Sequence, residues 1–300
     1  MSLCSICPRK CAADRAKAPG YCGARETAHI ARAALQRWEE PKLSGERGSG
    51  TIFFCGCNLN CIFCQNYKIN HSVMGIEADE ETLCRIMLDL QHQGAHNINL
   101  VTPAPHVPLI ACTLPLARQA GLTIPVVYNT NAYENVQTLK MLEGLIDIYL
   151  PDFKYVSAPL AKKYSDAEDY FAIAAQAIAE MYRQVGNIKL DENGMAASGL
   201  LIRHMVLPGC VDDTRRVLDY VSANYPKNVY ISIMSQYAPP KDYLPRPINR
   251  RITKGEYDRA LDYAISKGFE NVFIQQRNSA DLSYTPDFDA DVIFDPIKRA

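Results

Sequence analysis

From about Thr51 onward the chain alternates short runs rich in β-branched and aromatic residues with stretches of helical periodicity. Parallel strands joined by crossover helices produce that order. Strands are expected over 51–55, 97–101, 125–128, 146–150, 200–207 and 229–233, with a seventh over 271–275. Helices are expected over 80–93, 108–120, 134–143, 169–183, 212–224 and 254–267. In the fourth of these, Tyr170, Ala174, Ile178, Met181 and Tyr182 share one stripe, which reads as a core-facing surface. The expected fold class is therefore α/β, a partial (β/α)6 TIM-like barrel with a small N-terminal cysteine-rich extension. A doubly wound open sheet would leave nearly the same string. In a barrel, reactive groups gather on the loops that follow the C-terminal ends of the strands.

The 300 residues, 48% of them hydrophobic, can bury the core of one barrel-sized domain or two ordinary ones. Three parts are expected: a cysteine-rich metal-binding extension over 1–47 with a helix over 27–37, a barrel over 48–277, and a tail over 278–300. Residues 237–252 carry four prolines with Arg246, Arg250 and Arg251 and read as a surface loop. A formal net charge of -1 without blocks of like charge gives no electrostatic reason to expect nucleic acid or a membrane as partner. With no signal-like start and no apolar run long enough to span a bilayer, a cytoplasmic protein is expected.

Eleven cysteines in such a chain should stay reduced, which points to metal or cluster ligation before disulfides. Cys84, Cys112 and Cys210 stand alone and read as small buried hydrophobes. Cys57, Cys61 and Cys64 form C-x3-C-x2-C directly after the first expected strand. Thiolates are the usual ligands of iron–sulfur clusters, and three of them on a four-iron cubane leave one iron open. An amino acid's amine and carboxylate can chelate that iron and bring a sulfonium within reach of the cluster's electron. The competing reading, a zinc knuckle, prefers paired C-x2-C spacings and a fourth ligand. Cys55, one residue from Cys57 on a strand, should point into the barrel wall.

Phe63 precedes the last cysteine, and the whole triplet resembles the signature of the radical S-adenosylmethionine (SAM) superfamily. Over most of the chain, from Cys4 to about Gln276, the sequence is similar to the glycyl radical enzyme activating enzymes, such as those acting on pyruvate formate-lyase, and to a branch with N-terminal cysteines. Cys64-Gln65-Asn66 resembles their Cys-His-Asn, Asn129-Thr130-Asn131 their Asp-Thr-Asn-Gly, Asp152 with Lys154 their Asp-x-Lys, and Arg203 with Pro208 and Gly209 their Arg-x4-Pro-Gly. The resemblance implies a 4Fe-4S cluster on Cys57, Cys61 and Cys64 that cleaves SAM to a deoxyadenosyl radical. It also implies cofactor contacts from Phe63, Asn129, Thr130, Asn131, Asp152, Lys154 and Arg203. Charge-assisted pairing of Lys154 and Arg203 with a carboxylate agrees with this. Where activases carry Ser-Gly-Gly-Glu, this chain reads Val101-Thr102-Pro103-Ala104-Pro105-His106. Backbone around Thr102 is then expected to receive the cofactor's amino group, and His106 and Arg246 are candidates for substrate, with a helix-capping role the plainer one for His106.

Cys4, Cys7, Cys11 and Cys22 supply four further thiols within nineteen positions. Zinc, a single iron or an auxiliary cluster would all be satisfied by them. Three functions follow from these readings: activation of a glycyl radical enzyme with a flavodoxin or ferredoxin as reductant, radical modification of a peptide or small metabolite, or a non-catalytic zinc or iron–sulfur protein.

Overall fold

A computed structural model describes residues 3–241, 243–275 and Phe288. Seven strands run parallel: β2 (Ser49–Phe54), β4 (Ile98–Val101), β5 (Val126–Thr130), β6 (Ile148–Pro151), β8 (Ala196–Met205), β9 (Tyr230–Met234) and β10 (Asn271–Ile274). Three shorter or antiparallel strands join them: β1 (Ala28–Gln36), β3 (Ile76–Ala78) and β7 (Lys189–Leu190). The sheet order is β10-β9-β8-β6-β5-β4-β2-β1-β3, with β7 on β8. Among the described residues that path has two edges, so any barrel it forms is partial and not closed, and the expected parallel α/β order is borne out.

The crossovers are α3 (Glu80–His92), α4 (Val107–Gln119), α7 (Tyr170–Val185), α8 (Val211–Asn224) and α9 (Lys254–Ser266), with short α1 (Pro41–Ser44), α2 (Tyr67–Asn70), α5 (Val136–Lys140) and α6 (Ala158–Ser165) in the connections. Local chemistry sets their ends. Asp79 accepts from Thr82 N at 2.9 Å to start α3, and Thr253 with Glu256 forms a capping box on α9. Alternation along the strands sorts the core into two layers. Ile98, Leu100, Tyr128, Ile231 and Ile233 join the helices in the main cluster, and the α7 stripe of Tyr170, Ala174, Ile178 and Met181 packs there fully buried. On the other face Val127, Ile148, Leu150 and Leu201 close over Leu43 of α1 and seal the inner base of the sheet.

Two expectations are corrected. The expected helix over 27–37 is instead the strand β1 (Ala28–Gln36), with Ala33 opposite Ile52 and Leu35 opposite Gly50 on β2. The run is rich in Ala, Leu, Arg and Gln, which are good helix formers. An open edge on β2 and the complete burial of Ile30 and Ala31 outweigh that propensity. Cys112 lies exposed on α4, unlike buried Cys210 and half-buried Cys84. The 278–300 tail lies outside the described residues apart from Phe288, whose ring meets Phe53 edge-on at 5.4 Å. Among the described residues no helix is long and apolar enough to cross a membrane.

Candidate active site

The C-terminal ends of the parallel strands open onto a cavity of about 260 Å³, lined by Cys57, Cys61, Cys64, Phe63, Thr102, Asn129, Thr130, Asn131, Asp152, Lys154 and Arg203 together with Trp38, Glu39 and Glu40. The cysteine loop leaves β2 through Gly56, whose φ of 91° and close approach to Cys22 O (3.0 Å from where a Cβ would stand) admit no side chain. It is pinned by Ile62 N donating to Tyr164 O at 2.9 Å and by Arg9 Nε donating to Asn58 O at 2.8 Å. Asn131 Nδ2 lies 3.3 Å from Cys57 Sγ, Leu59 N 3.5 Å from the same sulfur, and Ser165 Oγ 2.9 Å from Cys61 Sγ.

Burial, then the neighbouring Cys61, pushes the Cys57 thiol up to about 12. Burial and its two neighbours raise Cys64 as well, and burial raises Cys61 against the opposing charge of Lys154. Three such sulfurs become thiolates together only when positive charge sits among them. An iron–sulfur core supplies that charge, and amide donors to sulfur are among the contacts that tune one. Cys55 offers no fourth ligand: its thiol donates to Met74 O at 3.3 Å inside a separate apolar cluster. Among the described residues no group of three His, Cys, Asp or Glu side chains is arranged to hold a single metal ion. Cys57, Cys61 and Cys64, three thiols on one short loop that line one cavity, form a donor set that fits an iron–sulfur cluster held by three thiolates.

Beside the thiols lies a charged chain. Asp152 takes Lys154 Nζ on Oδ2 and Arg203 Nε on Oδ1, both at 2.8 Å. Arg203 NH2 donates to Asn129 Oδ1 at 2.7 Å, and its NH1 stands 3.3 Å from Glu39 Oε2. Burial opposes the Asp152 charge, but the two cations outweigh it and hold the carboxyl below its usual range. Asp152 in turn keeps Lys154 above the usual lysine value despite burial. Asp152, Lys154 and Arg203 thus hold one another ionised, with both cations lining the cavity.

Some expected cofactor contacts act one step back. Thr130 Oγ1 donates to Glu134, which also accepts from Tyr128 OH at 2.7 Å, and Asn131 is spent on Cys57, Asn58 and Tyr133 N. Phe63 is buried edge-on to Tyr237 at 6.0 Å. Thr102 takes a left-handed backbone, φ 59°, which is costly for a β-branched residue and tends to be retained where a site needs it. His106 does not line the cavity. Its Nε2 is 2.9 Å from Cys55 O, its ring stacks on Phe54, and burial lowers its pKa to about 4, so it is a neutral packing group and not a substrate contact. Its side chain does not cap α4 either. Arg246 is exposed on the 237–252 loop and also lies off the cavity.

Trp38, Glu39 and Glu40 were not expected there. They follow β1, so reading that run as a helix hid their place at the cavity. Burial raises the Glu40 carboxyl, partly offset by Ser232 and Arg203.

The N-terminal cysteines form a lobe against the cluster loop. Cys11 and Cys22 sulfurs both approach Gly20, at 3.3 and 3.7 Å from where its Cβ would stand. Cys7 is pushed up to about 11 by burial, with Cys22, Cys4 and Cys11 adding to the rise. Burial opposes the Cys11 thiolate, yet N–H groups of Tyr21, Ala13 and Cys11 itself, with the charge of Arg15, hold it below the ordinary thiol value. Arg9 lies between the Tyr21 and Tyr133 rings, 4.3 and 5.1 Å from their centroids.

No family model matches the chain. A protein of Methanocaldococcus jannaschii, the uncharacterized protein MJ0674, is 31% identical over 272 residues, covering 87% of this chain and 74% of that one. Among solved structures, HydG, a maturase of the [FeFe]-hydrogenase, superposes with a TM-score of 0.50 at 13% identity over 73% of this chain and 48% of its own, which shows a shared fold. Methylornithine synthase (PylB) gives 0.47 at 14% identity over 81% of this chain and 74% of its own. A domain of a pyruvate-formate lyase-activating enzyme from Bacteroides vulgatus gives 0.41 at 10% over 58% and 94%. The last two likenesses are too distant to carry weight.

Proposed function

We propose that this chain, which belongs to the same family as the uncharacterized protein MJ0674 of Methanocaldococcus jannaschii and has a mostly parallel partial-barrel fold, is a radical SAM enzyme. One observation carries the reading: the thiols of Cys57, buried, and of Cys61 and Cys64, half-buried, line the same cavity as the fixed Lys154 and Arg203 cations. Bound at the open corner of a cluster on Cys57, Cys61 and Cys64, SAM would accept one electron, split a carbon–sulfur bond and supply a deoxyadenosyl radical for hydrogen abstraction.

The chain's own residues do the rest. Lys154 and Arg203, held by Asp152, present charge-assisted donors to a carboxylate. Phe63 offers an apolar wall to the adenine. Asn131 steadies Cys57, and the left-handed Thr102 turns backbone toward the amino group. As the hydrogen donor we favour a glycine of a partner protein, with a flavodoxin or ferredoxin as reductant, because the strand-end residues Asn129 to Asn131, Asp152, Lys154 and Arg203 follow the activase pattern. Trp38, Glu39 and Glu40 in the lining of the same cavity leave room for a second reading, in which a small metabolite or peptide side chain enters it. The four N-terminal thiols are proposed as a second metal site.

Anaerobically reconstituted and reduced protein should convert SAM to deoxyadenosine and methionine, and Cys57→Ala should abolish this. Colourless protein that binds only zinc would point to a non-catalytic scaffold. A glycyl radical EPR signal on adding a candidate partner supports the first substrate reading, and radical-dependent turnover of a small metabolite or peptide without such a signal supports the second.

A further inference from the structure

The thiols of the N-terminal lobe are graded in exposure. Cys11 is exposed, Cys4 and Cys7 are half-buried, and Cys22 is buried. The buried end of that gradient meets the cluster loop directly: Cys57 N donates to Cys22 O at 2.9 Å. Gly56 lacks the side chain that would push this carbonyl away. Arg9 locks the two parts together, donating to Asn58 O at 2.8 Å and to Asp166 O at 2.6 Å. Tyr21 OH closes the same contact on Asp166 Oδ2 at 3.0 Å. A residue of the N-terminal cysteine set and a residue of the triad are thus one hydrogen bond apart.

We propose that Cys4, Cys7, Cys11 and Cys22 hold an iron–sulfur cluster that receives single electrons at the exposed Cys11 side and hands them to the Cys57 centre through the Cys22 carbonyl and the Cys57 N–H. The inference rests on the reading of Cys57, Cys61 and Cys64 given above. Electron balance is simple: a low-potential one-electron donor loses one electron, the N-terminal centre is reduced and reoxidised, and the Cys57 centre ends one electron richer, with no bond broken and no proton moved. Zinc has no redox chemistry and cannot serve. The partner implied is a small one-electron carrier docking over Cys11 and Tyr21, both exposed.

The test uses the full chain reconstituted without oxygen, with dithionite as donor. Wild type should carry about eight irons and Cys11→Ala about four. When fully reduced, wild type should show an EPR spectrum broadened by coupling between two paramagnetic centres, and Cys11→Ala a single uncoupled signal. Reduction of the Cys57 centre, followed by stopped-flow absorbance, should slow by at least about tenfold in Cys11→Ala. Zinc in the lobe beside four irons on the triad, two uncoupled EPR signals, or an unchanged reduction rate would each overturn the relay while leaving the proposed function intact. Wild type with no cluster on Cys57, Cys61 and Cys64 would overturn both.

Discussion

Glu134 is fully buried beneath the cavity loop, where burial raises its carboxyl to about 7 against the lowering effect of its hydrogen bonds from Thr130 and Tyr128. The folded pKa lies above the unfolded one, so the stability it contributes is complete below about pH 4.5 and is lost as pH rises through about 7. The full shift corresponds to roughly 3 kcal/mol. Wild type should thus lose stability relative to Glu134→Gln between pH 5 and pH 8, read as the difference of their denaturant midpoints, and parallel curves would contradict this assignment. At the ion network, Arg203→Ala removes a charge-assisted donor and leaves Asp152 and Glu39 less well paired. SAM binding to the reconstituted protein should weaken about ten- to a hundredfold, whereas unchanged affinity would place the carboxylate elsewhere. The thiols and strand-end cations could be read from sequence because their chemistry is tied to residue type and spacing. His106 and Thr130 could not be placed that way, since which way a side chain turns from a strand end is decided by neighbours distant in sequence: Cys55 O for one, Glu134 for the other.

At the level of elements, periodicity located the parallel strands and crossovers to within a few residues, because apolar alternation and helical stripes report burial directly. It failed at β1, where Ala28, Ala31, Ala33 and Ala34 carry little β signal and the deciding contact is the edge of β2. That failure propagated, since Trp38, Glu39 and Glu40 reach the cavity only because β1 runs antiparallel beside β2. The start of α9 offers a direct check on local chemistry. Buried Glu256 accepts from Thr253 N at 2.8 Å, Gly209 N at 2.7 Å and both terminal nitrogens of Arg250. Its loss strips the capping box and leaves a Gly209 donor unpaired, so Glu256→Ala should cost about 2–3 kcal/mol in chemical denaturation. Thr253→Ala should cost about 1 kcal/mol. Equal and negligible effects would show that the α9 start does not rest on this box.

Across the whole molecule, the curled sheet leaves its strand ends open on one side, and the N-terminal lobe sits on the loop that carries the three thiols. The parallel strands bring Asn129, Asp152 and Arg203 side by side, with Asp152 bridged to Arg203 and Arg203 opposite Ser232. Residues spread over more than a hundred positions thus address one cavity, and that cavity's three-sulfur, two-cation composition is the basis of the proposed chemistry. The most direct test is deoxyadenosine formation by the oxygen-free, reconstituted and reduced chain, compared among wild type, Cys57→Ala, Cys61→Ala and Cys64→Ala. Wild type should form deoxyadenosine and each of the three variants none. Deoxyadenosine at wild-type levels from any variant, or none from a wild type carrying its four-iron cluster, would contradict the account.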